Sequence, residues 1–104
     1  MEEIKLNKLT QNMKVISGRE KGVELREKLK LDEKDKDKKQ YKIVIDENVY
    51  SFNSSCFLGL FGKSIRELGE NKFREKYQFE CTDLIRMNIE DGINDATNNV
   101  DTLR

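Results

Sequence analysis

The segment YKIVID, residues 41–46, constrains the fold of this chain more than any other stretch. It is a short, nearly continuous apolar run rich in β-branched residues, and charged segments bound it on both sides. This pattern is typical of a strand buried on both faces of a mainly parallel sheet, because a half-buried strand alternates apolar and polar side chains. We therefore expect a central strand here, with Ile43 and Ile45 buried.

Two further strands are predicted near the start of the chain. Ile4 and Leu6 alternate with polar residues, and Met13 and Val15 would lie on one face of a second short strand. The polar residues 10–12 separate the two segments, which favours a hairpin. A fourth strand is predicted in KYQFEC, residues 76–81, where Tyr77, Phe79 and Cys81 alternate.

Three segments have the spacing of amphipathic helices. They are residues 19–31, with Gly22, Leu25 and Leu29 on one face; residues 55–68, ended by Gly69; and a helix capped by Thr82, with the stripe Ile85, Ile89, Ile93 and Ala96. The charged run DEKDKDKKQ, residues 32–40, predicts a solvated loop, and the polar tail from Asn98 is expected to fray.

The resulting order is strand, strand, helix, strand, helix, strand, helix. We expect one α/β domain over residues 1–104, with three helices packed on a four-stranded mixed sheet, because crossovers between parallel strands are right-handed. No internal repeat or linker divides the chain.

Composition narrows the possible functions. The chain has 104 residues with 20 Lys plus Arg, 20 Asp plus Glu and no histidine. The balanced charge argues against nucleic-acid binding. The lack of histidine removes the commonest general base and most zinc sites. Adjacent Asp46 and Glu47 would point to opposite faces of a strand, so they cannot act as one acid–base pair. We expect a non-enzymatic protein without metal or cofactor.

The two cysteines, Cys56 and Cys81, bear on the compartment. No signal peptide or apolar run near 18 residues is evident, so we expect a cytoplasmic protein that does not enter a membrane, with free, partly buried thiols. A thiol near a helix start can have a lowered pKa, which leaves a redox switch at Cys56 as a minor alternative.

Polar residues stand directly in front of the second helix. Asn53, Ser54 and Ser55 lie in a loop expected at the carboxyl end of the central strand, where α/β proteins bind ligands and partners. Asn53 or Ser54 could simply cap the helix. A phosphate on Ser54 or Ser55 would also be stabilised there by free N–H groups and the helix dipole.

The stretch NSSCFLGLFGKS, residues 53–64, resembles the bacterial anti-sigma factor antagonists of the STAS class. In that class the serine after an aspartate is phosphorylated by a partner kinase that is also the anti-sigma factor; here that position is Ser54. The chain is also similar to a small STAS-like bacterial family of unassigned function, through SGRE at residues 17–20 and the Ser-Ser helix start. Asn53 stands in place of the aspartate and Cys56 in place of a glycine.

The resemblance implies a protein-interaction module with a kinase-like ATPase, of the anti-sigma type, as partner. Ser54 would be the phosphoacceptor, Ser55 the reserve acceptor or cap, and Asn53 the orienting residue, with Cys56 and Arg19 in the contact surface. Arg19 and Arg26, on the first helix, could meet the phosphate or could simply be solvated. The main alternative is a small binding protein or inhibitor, carried by a mobile element, that uses the same surface without phosphorylation.

Overall fold

The computed structural model describes residues 1–11 and 13–98, and this part of the chain contains five short strands and seven α-helices. The strands are β1 (Glu2–Lys5), β2 (Val15–Ile16), β3 (Tyr41–Val44), β4 (Ser51–Phe52) and β5 (Tyr77–Glu80). The helices are α1 (Asn7–Thr10), α2 (Arg19–Leu29), α3 (Leu31–Lys34), α4 (Ser54–Phe57), α5 (Lys63–Leu68), α6 (Glu70–Lys76) and α7 (Asp83–Asn98). A π-helical turn, Leu58–Gly62, joins α4 to α5. The fold is therefore α/β, as predicted.

All strand pairs in the described residues are parallel. One sheet has the order β1-β3-β5, and β2 pairs with β4 in a separate two-stranded sheet. The predicted single mixed sheet of four strands is therefore wrong in detail. At least one helix lies between each strand and its partner in the sequence. Connections of this length join parallel strands, whereas a hairpin needs a short turn.

The predicted central strand, β3, lies between β1 and β5. Ile43 and Ile45 are buried, which confirms that part of the prediction. The strand is buried on one face only, however, because Lys42 and Val44 are half-buried. Lys42 forms ion pairs with carboxylates of both neighbouring strands, Glu3 at 3.8 Å and Glu80 at 3.2 Å. The outer face of this parallel sheet is thus a polar surface.

The predicted hairpin between the first two strands is wrong. β1 pairs with β3, and the chain then enters α1. Leu6, the residue between β1 and α1, is buried, and its N–H donates to the Val44 carbonyl. In β2 the buried side chain is Ile16, whereas Val15 is exposed. Alternation predicts a strand but carries no information about which strand will pair with it.

The first predicted helix ends two residues early. Lys30 adopts a left-handed conformation, φ 55°, and its N–H donates to the carbonyls of Arg26 and Glu27, which closes α2. The charged run then begins within α3 rather than as a loop. Asp35 in that run is 5% exposed, so the prediction of a fully solvated segment is also wrong.

Residues 54–68 form one continuous helical segment, comprising α4, the π turn and α5; we call it the serine helix. Gly69, at φ 84°, ends it as predicted. The sequence did not indicate α6, which follows at once, because Phe73 is the one buried apolar side chain in it.

The core centres on the aromatic side chains of the serine helix. Phe61 lies 5.5 Å from Phe73, 5.4 Å from Tyr77 and 5.5 Å from Phe79, measured between ring centroids. Phe57 packs against α7, where a Cβ on Gly92 would lie 2.3 Å from the Phe57 ring. The serine helix is thereby fixed between the sheet and α7.

The last helix agrees with its prediction. Thr82 Oγ1 accepts from the Ile85 N–H at 3.3 Å, and the buried stripe is the expected one: Ile85, Ile89, Ile93 and Ala96. Asn98 ends α7, and the rest of the predicted frayed tail lies outside the described residues. Among the described residues, the helices lack the combination of length and apolar character that a membrane-spanning helix needs.

Candidate functional site

Asn53, rather than a serine, caps the serine helix. Its backbone is extended, at φ −73° and ψ 161°, and its Oδ1 accepts from the Cys56 N–H at 3.0 Å. The same backbone supplies the first helical carbonyl, which accepts from the Phe57 N–H at 3.0 Å. Of the two caps that the sequence allowed, Asn53 is the one formed.

The two serines that follow occupy the first helical positions. Ser54 is half-buried and Ser55 is exposed. No hydrogen bond between described residues uses either hydroxyl; the side-chain bond at this helix start belongs to Asn53. Both hydroxyls are therefore uncommitted, and Ser55 is the more accessible of the two.

Parallel pairing of β2 with β4 places a second helix start beside the first. Ile16 is aligned with Phe52, and the Asn53 N–H extends the pairing by donating to the Ile16 carbonyl at 3.1 Å. Each strand then leads into a helix, so α2 and the serine helix begin at the same edge of this small sheet. We call this edge, with Arg19, Asn53, Ser54 and Ser55, the serine edge.

Glycines allow the two helices to touch through their backbones. A Cβ on Gly22 would lie 2.1 Å from the Cys56 carbonyl oxygen, and a Cβ on Gly59 would lie 2.4 Å from the Arg19 carbonyl oxygen. Neither position could hold a side chain without moving a backbone. The close contact fixes the exposed Arg19 relative to the serine helix.

Cys56 does not form part of the exposed surface. Its side chain is fully buried, which corrects the prediction that it contacts a partner. Burial raises the pKa of the thiol to about 11, against a smaller opposing effect of Lys21. A thiol held in its protonated form is a poor nucleophile, so the geometry argues against a redox switch at this residue.

Cys81 is half-buried, and both cysteines are free thiols in the structure, as expected from the sequence. Desolvation raises the pKa of Cys81, partly offset by Arg86. Among residues 1–11 and 13–98, His, Cys, Asp and Glu side chains form no group of three suited to a metal ion. The Asp46 carboxylate accepts from the Asn48 N–H at 3.1 Å, so it stabilises a turn.

Arg26 has a role that the sequence analysis missed. It is 7% exposed, and its guanidinium donates to Asp35 Oδ2 at 2.7 Å, to Ser64 Oγ at 2.8 Å and to Asp32 Oδ1 at 2.8 Å. Although desolvation opposes it, hydrogen bonds to Asp35 and Asp32 raise the pKa of Arg26. The arginine is therefore neither solvated nor free to meet a phosphate.

This buried network also reaches the serine helix and the sheet. Arg26 Nη1 donates to the Leu60 carbonyl at 2.9 Å, within the π turn, and the Tyr77 hydroxyl donates to Asp35 Oδ1 at 2.6 Å. One signal could have revealed it, because Arg26 lies four residues after Gly22 and three before Leu29, on the buried face of α2.

Comparisons with protein-family models, with curated proteins and with solved structures gave no match to this chain. No relative therefore supports or opposes the resemblance to STAS proteins.

Proposed function

We propose that this chain is a bacterial, cytoplasmic, non-enzymatic protein-interaction module that binds its partner through the serine edge. Phosphorylation of Ser54, with Ser55 as the second acceptor, would switch that interaction. The partner class suggested by the resemblance is a kinase-like ATPase of the anti-sigma type, which would both bind and phosphorylate the serine edge.

The observation that carries the proposal is the division of roles between Asn53 and the serines. Since Asn53 Oδ1 already satisfies the Cys56 N–H, the helix start does not need a serine hydroxyl as its cap. A phosphate could therefore be added without the loss of a hydrogen bond on which the serine helix depends. Asn53 keeps this capping ability although it replaces the aspartate of the antagonists.

The electrostatics of the edge also suit a phosphate. Two helices begin there, and the N-terminal N–H groups of a helix stabilise negative charge by about 0.3–1 kcal/mol at exposed sites. The exposed Arg19 offers a guanidinium, which is suited to a phosphate group. A phosphoserine carries a charge of about −1.5 to −2, so it would change the charge of the contact surface while the fold tolerated it.

A second candidate is a small binding protein or inhibitor that uses the serine edge without phosphorylation. The observations that favour it are the half-buried position of Ser54 and the asparagine in place of the aspartate. Ser55 is more exposed than Ser54, which favours Ser55 as the phosphoacceptor. The experiment must therefore test the two serines separately.

The test is partner affinity measured with charge variants at each serine. A partner recovered from the source organism would be titrated by calorimetry with the wild type, Ser54→Ala, Ser55→Ala, Ser54→Asp and Ser55→Asp. The matched control is Gln78→Glu, which adds one negative charge on the outer face of β5. Thermal melting would verify that each variant is folded.

We expect both alanine variants and the control to bind like the wild type. At least one aspartate variant should bind about tenfold or more weakly, which corresponds to about 1.4 kcal/mol. Equal affinity for all the variants would contradict the switch and favour the unphosphorylated binder.

A further inference from the structure

An open groove of about 480 Å³ runs between α2 and the serine helix. Its lining includes Arg19, Val23, Lys30, Leu58, Gly59 and Arg66, and we call it the interhelical groove. Small-molecule sites occupy about 300–1,000 Å³, so the groove is large enough for a compact organic ligand.

The floor of the groove is apolar. Val23 is 42% exposed although it is a β-branched apolar residue on a helix, and Leu58 beside it is half-buried. Gly59 contributes bare backbone, and its contact with the Arg19 carbonyl holds the floor in place. An apolar surface of this kind could cover the flat or aliphatic part of a ligand.

The rim carries an excess of positive charge. Apart from the buried Arg26, four cationic side chains line the groove with three carboxylates, those of Glu27, Asp32 and Glu33. The carboxylate of Asp32 already accepts from Arg26 and lies 3.5 Å from Lys63 Nζ. Among the described residues, no carboxylate lies within 4 Å of the charged groups of Arg19, Lys30 or Arg66. These cations are therefore available to an anion.

The guanidinium of Arg66 lies beside the apolar floor. A Cβ placed on Gly62 would be 3.3 Å from Arg66 Nη1 and 3.7 Å from Leu58 Cδ2, so the charged group and the leucine side chain flank the same glycine. Both contacts belong to the π turn and the residues next to it, and π turns within helices occur frequently at functional sites.

We propose that the interhelical groove binds a small organic phosphate. The apolar body of the ligand would lie on Val23 and Leu58, and its phosphate would accept hydrogen bonds from the guanidinium of Arg66, with Arg19 nearby. A guanidinium presents a planar fork of donors that matches phosphate oxygens, and an arginine without a carboxylate partner is free to use it. This site goes beyond the proposed function, because it needs neither a protein partner nor a modified serine.

The test uses 1-naphthyl phosphate as the probe, followed by backbone amide chemical shifts of the full chain. Two control ligands each carry half of the chemistry: 1-naphthol has the body without the phosphate, and inorganic phosphate has the charge without the body. We expect saturable shifts centred on Val23, Leu58 and Gly59, with an affinity for the probe at least about tenfold tighter than for either control.

Arg66→Gln should weaken probe binding about tenfold or more. Arg66→Lys, which keeps the charge but loses the fork, should also weaken it, whereas Lys8→Gln, which removes an exposed charge from α1, should not. Shifts scattered over the surface, equal affinity for 1-naphthol, or binding unchanged in Arg66→Gln would overturn the proposal. Because Ser54 and Ser55 are unaltered in every variant, these outcomes are independent of the switch.

Discussion

At the scale of single residues, the start of the serine helix depends on Asn53. Asn53→Ala should lower the free energy of unfolding by about 1 kcal/mol, because the Cys56 N–H loses its acceptor. Asn53→Asp should restore the loss, since a carboxylate accepts the same bond and suits the helix dipole. Urea unfolding of the variants measures this.

Ser54→Ala is the matched control for the cap. Its hydroxyl has no hydrogen-bond partner among the described residues, so the free energy of unfolding should change by less than about 0.5 kcal/mol. A loss as large as that of Asn53→Ala would show that the serine caps the helix, and would remove the basis of the proposed switch.

Asp35 and Asp32 both accept from Arg26, but they differ in burial. The Asp35 side chain is 1% exposed and the Asp32 side chain is 63% exposed. Asp35→Asn should cost about 3–5 kcal/mol, because it leaves a buried guanidinium without its buried counter-charge. Asp32→Asn should destabilise the protein far less, because the Asp32 carboxylate is exposed to solvent, which screens its interaction with Arg26. Similar losses in the two variants, measured by urea unfolding, would contradict the role assigned to the buried network.

The sequence could indicate part of this chemistry and not the rest. Asn53 was predictable as a cap because its side chain directly precedes an apolar helical period. The burial of Asp35 was not predictable, because a run of alternating charges is normally solvated. Its partners, Arg26, Ser64 and Tyr77, lie outside that run, 9, 29 and 42 residues away in sequence.

At the scale of elements, the serine helix requires glycine at position 59, where it touches α2, and tolerates alanine at position 62, where the neighbouring atoms belong to the serine helix itself. Gly59→Ala should cost about 1–3 kcal/mol, because its Cβ would meet the Arg19 carbonyl at 2.4 Å, a backbone atom that cannot move freely. Gly62→Ala should be neutral or stabilising, since the nearest atom is the flexible end of Arg66 and alanine favours a helix by up to about 1 kcal/mol over glycine. Thermal melting distinguishes them, and the reverse order would contradict the close packing.

The loop before β3 is tied to the end of α6 through Asp37. Its carboxylate accepts from Lys76 Nζ at 2.7 Å, from the Lys39 N–H at 2.9 Å and from the Tyr41 hydroxyl. Partial desolvation raises the pKa of Asp37, but these hydrogen bonds outweigh it and lower the pKa from an ordinary 3.8 to about 2.

Because the pKa of Asp37 is lower in the folded state, its contribution to stability is complete above its ordinary value of 3.8 and is lost as the pH falls toward about 2. The melting temperature of the wild type should fall as the pH is lowered from 3.8 to about 2, and this fall should be smaller in Asp37→Asn. Asp91→Asn, at an exposed carboxylate on α7, should leave the fall as in the wild type. An identical acid profile for Asp37→Asn would contradict the linkage.

Helices were predicted correctly where apolar residues recur on one face over several turns, as in the Ile85–Ala96 stripe of α7. It failed for α6, where a single buried phenylalanine gives no period, and for the π turn, whose extra residue per turn has no signature in apolar spacing.

At the scale of the whole molecule, the order of the sheets could not be derived from the strands themselves. β3 was predictable as central because of its apolar run, yet β1 and β2 have similar short alternations and pair with different partners. The alternation within each strand does not specify its partner, because pairing also depends on tertiary packing around the strands. The pairing of β2 with β4 sets the starts of α2 and the serine helix at one edge, so the serine edge depends on the whole fold.

The most direct test of the proposed serine switch is phosphosite mapping of the protein isolated from the organism that produces it. Trypsin would release residues 43–63, which contain Ser51, Ser54 and Ser55, so fragment ions must assign the phosphate to one hydroxyl. Ser51, which lies in β4 and is half-buried, serves as the internal control. We expect a phosphorylated fraction on Ser54 or Ser55. Protein without phosphate in every growth phase, or with phosphate only at Ser51 or outside this peptide, would contradict it.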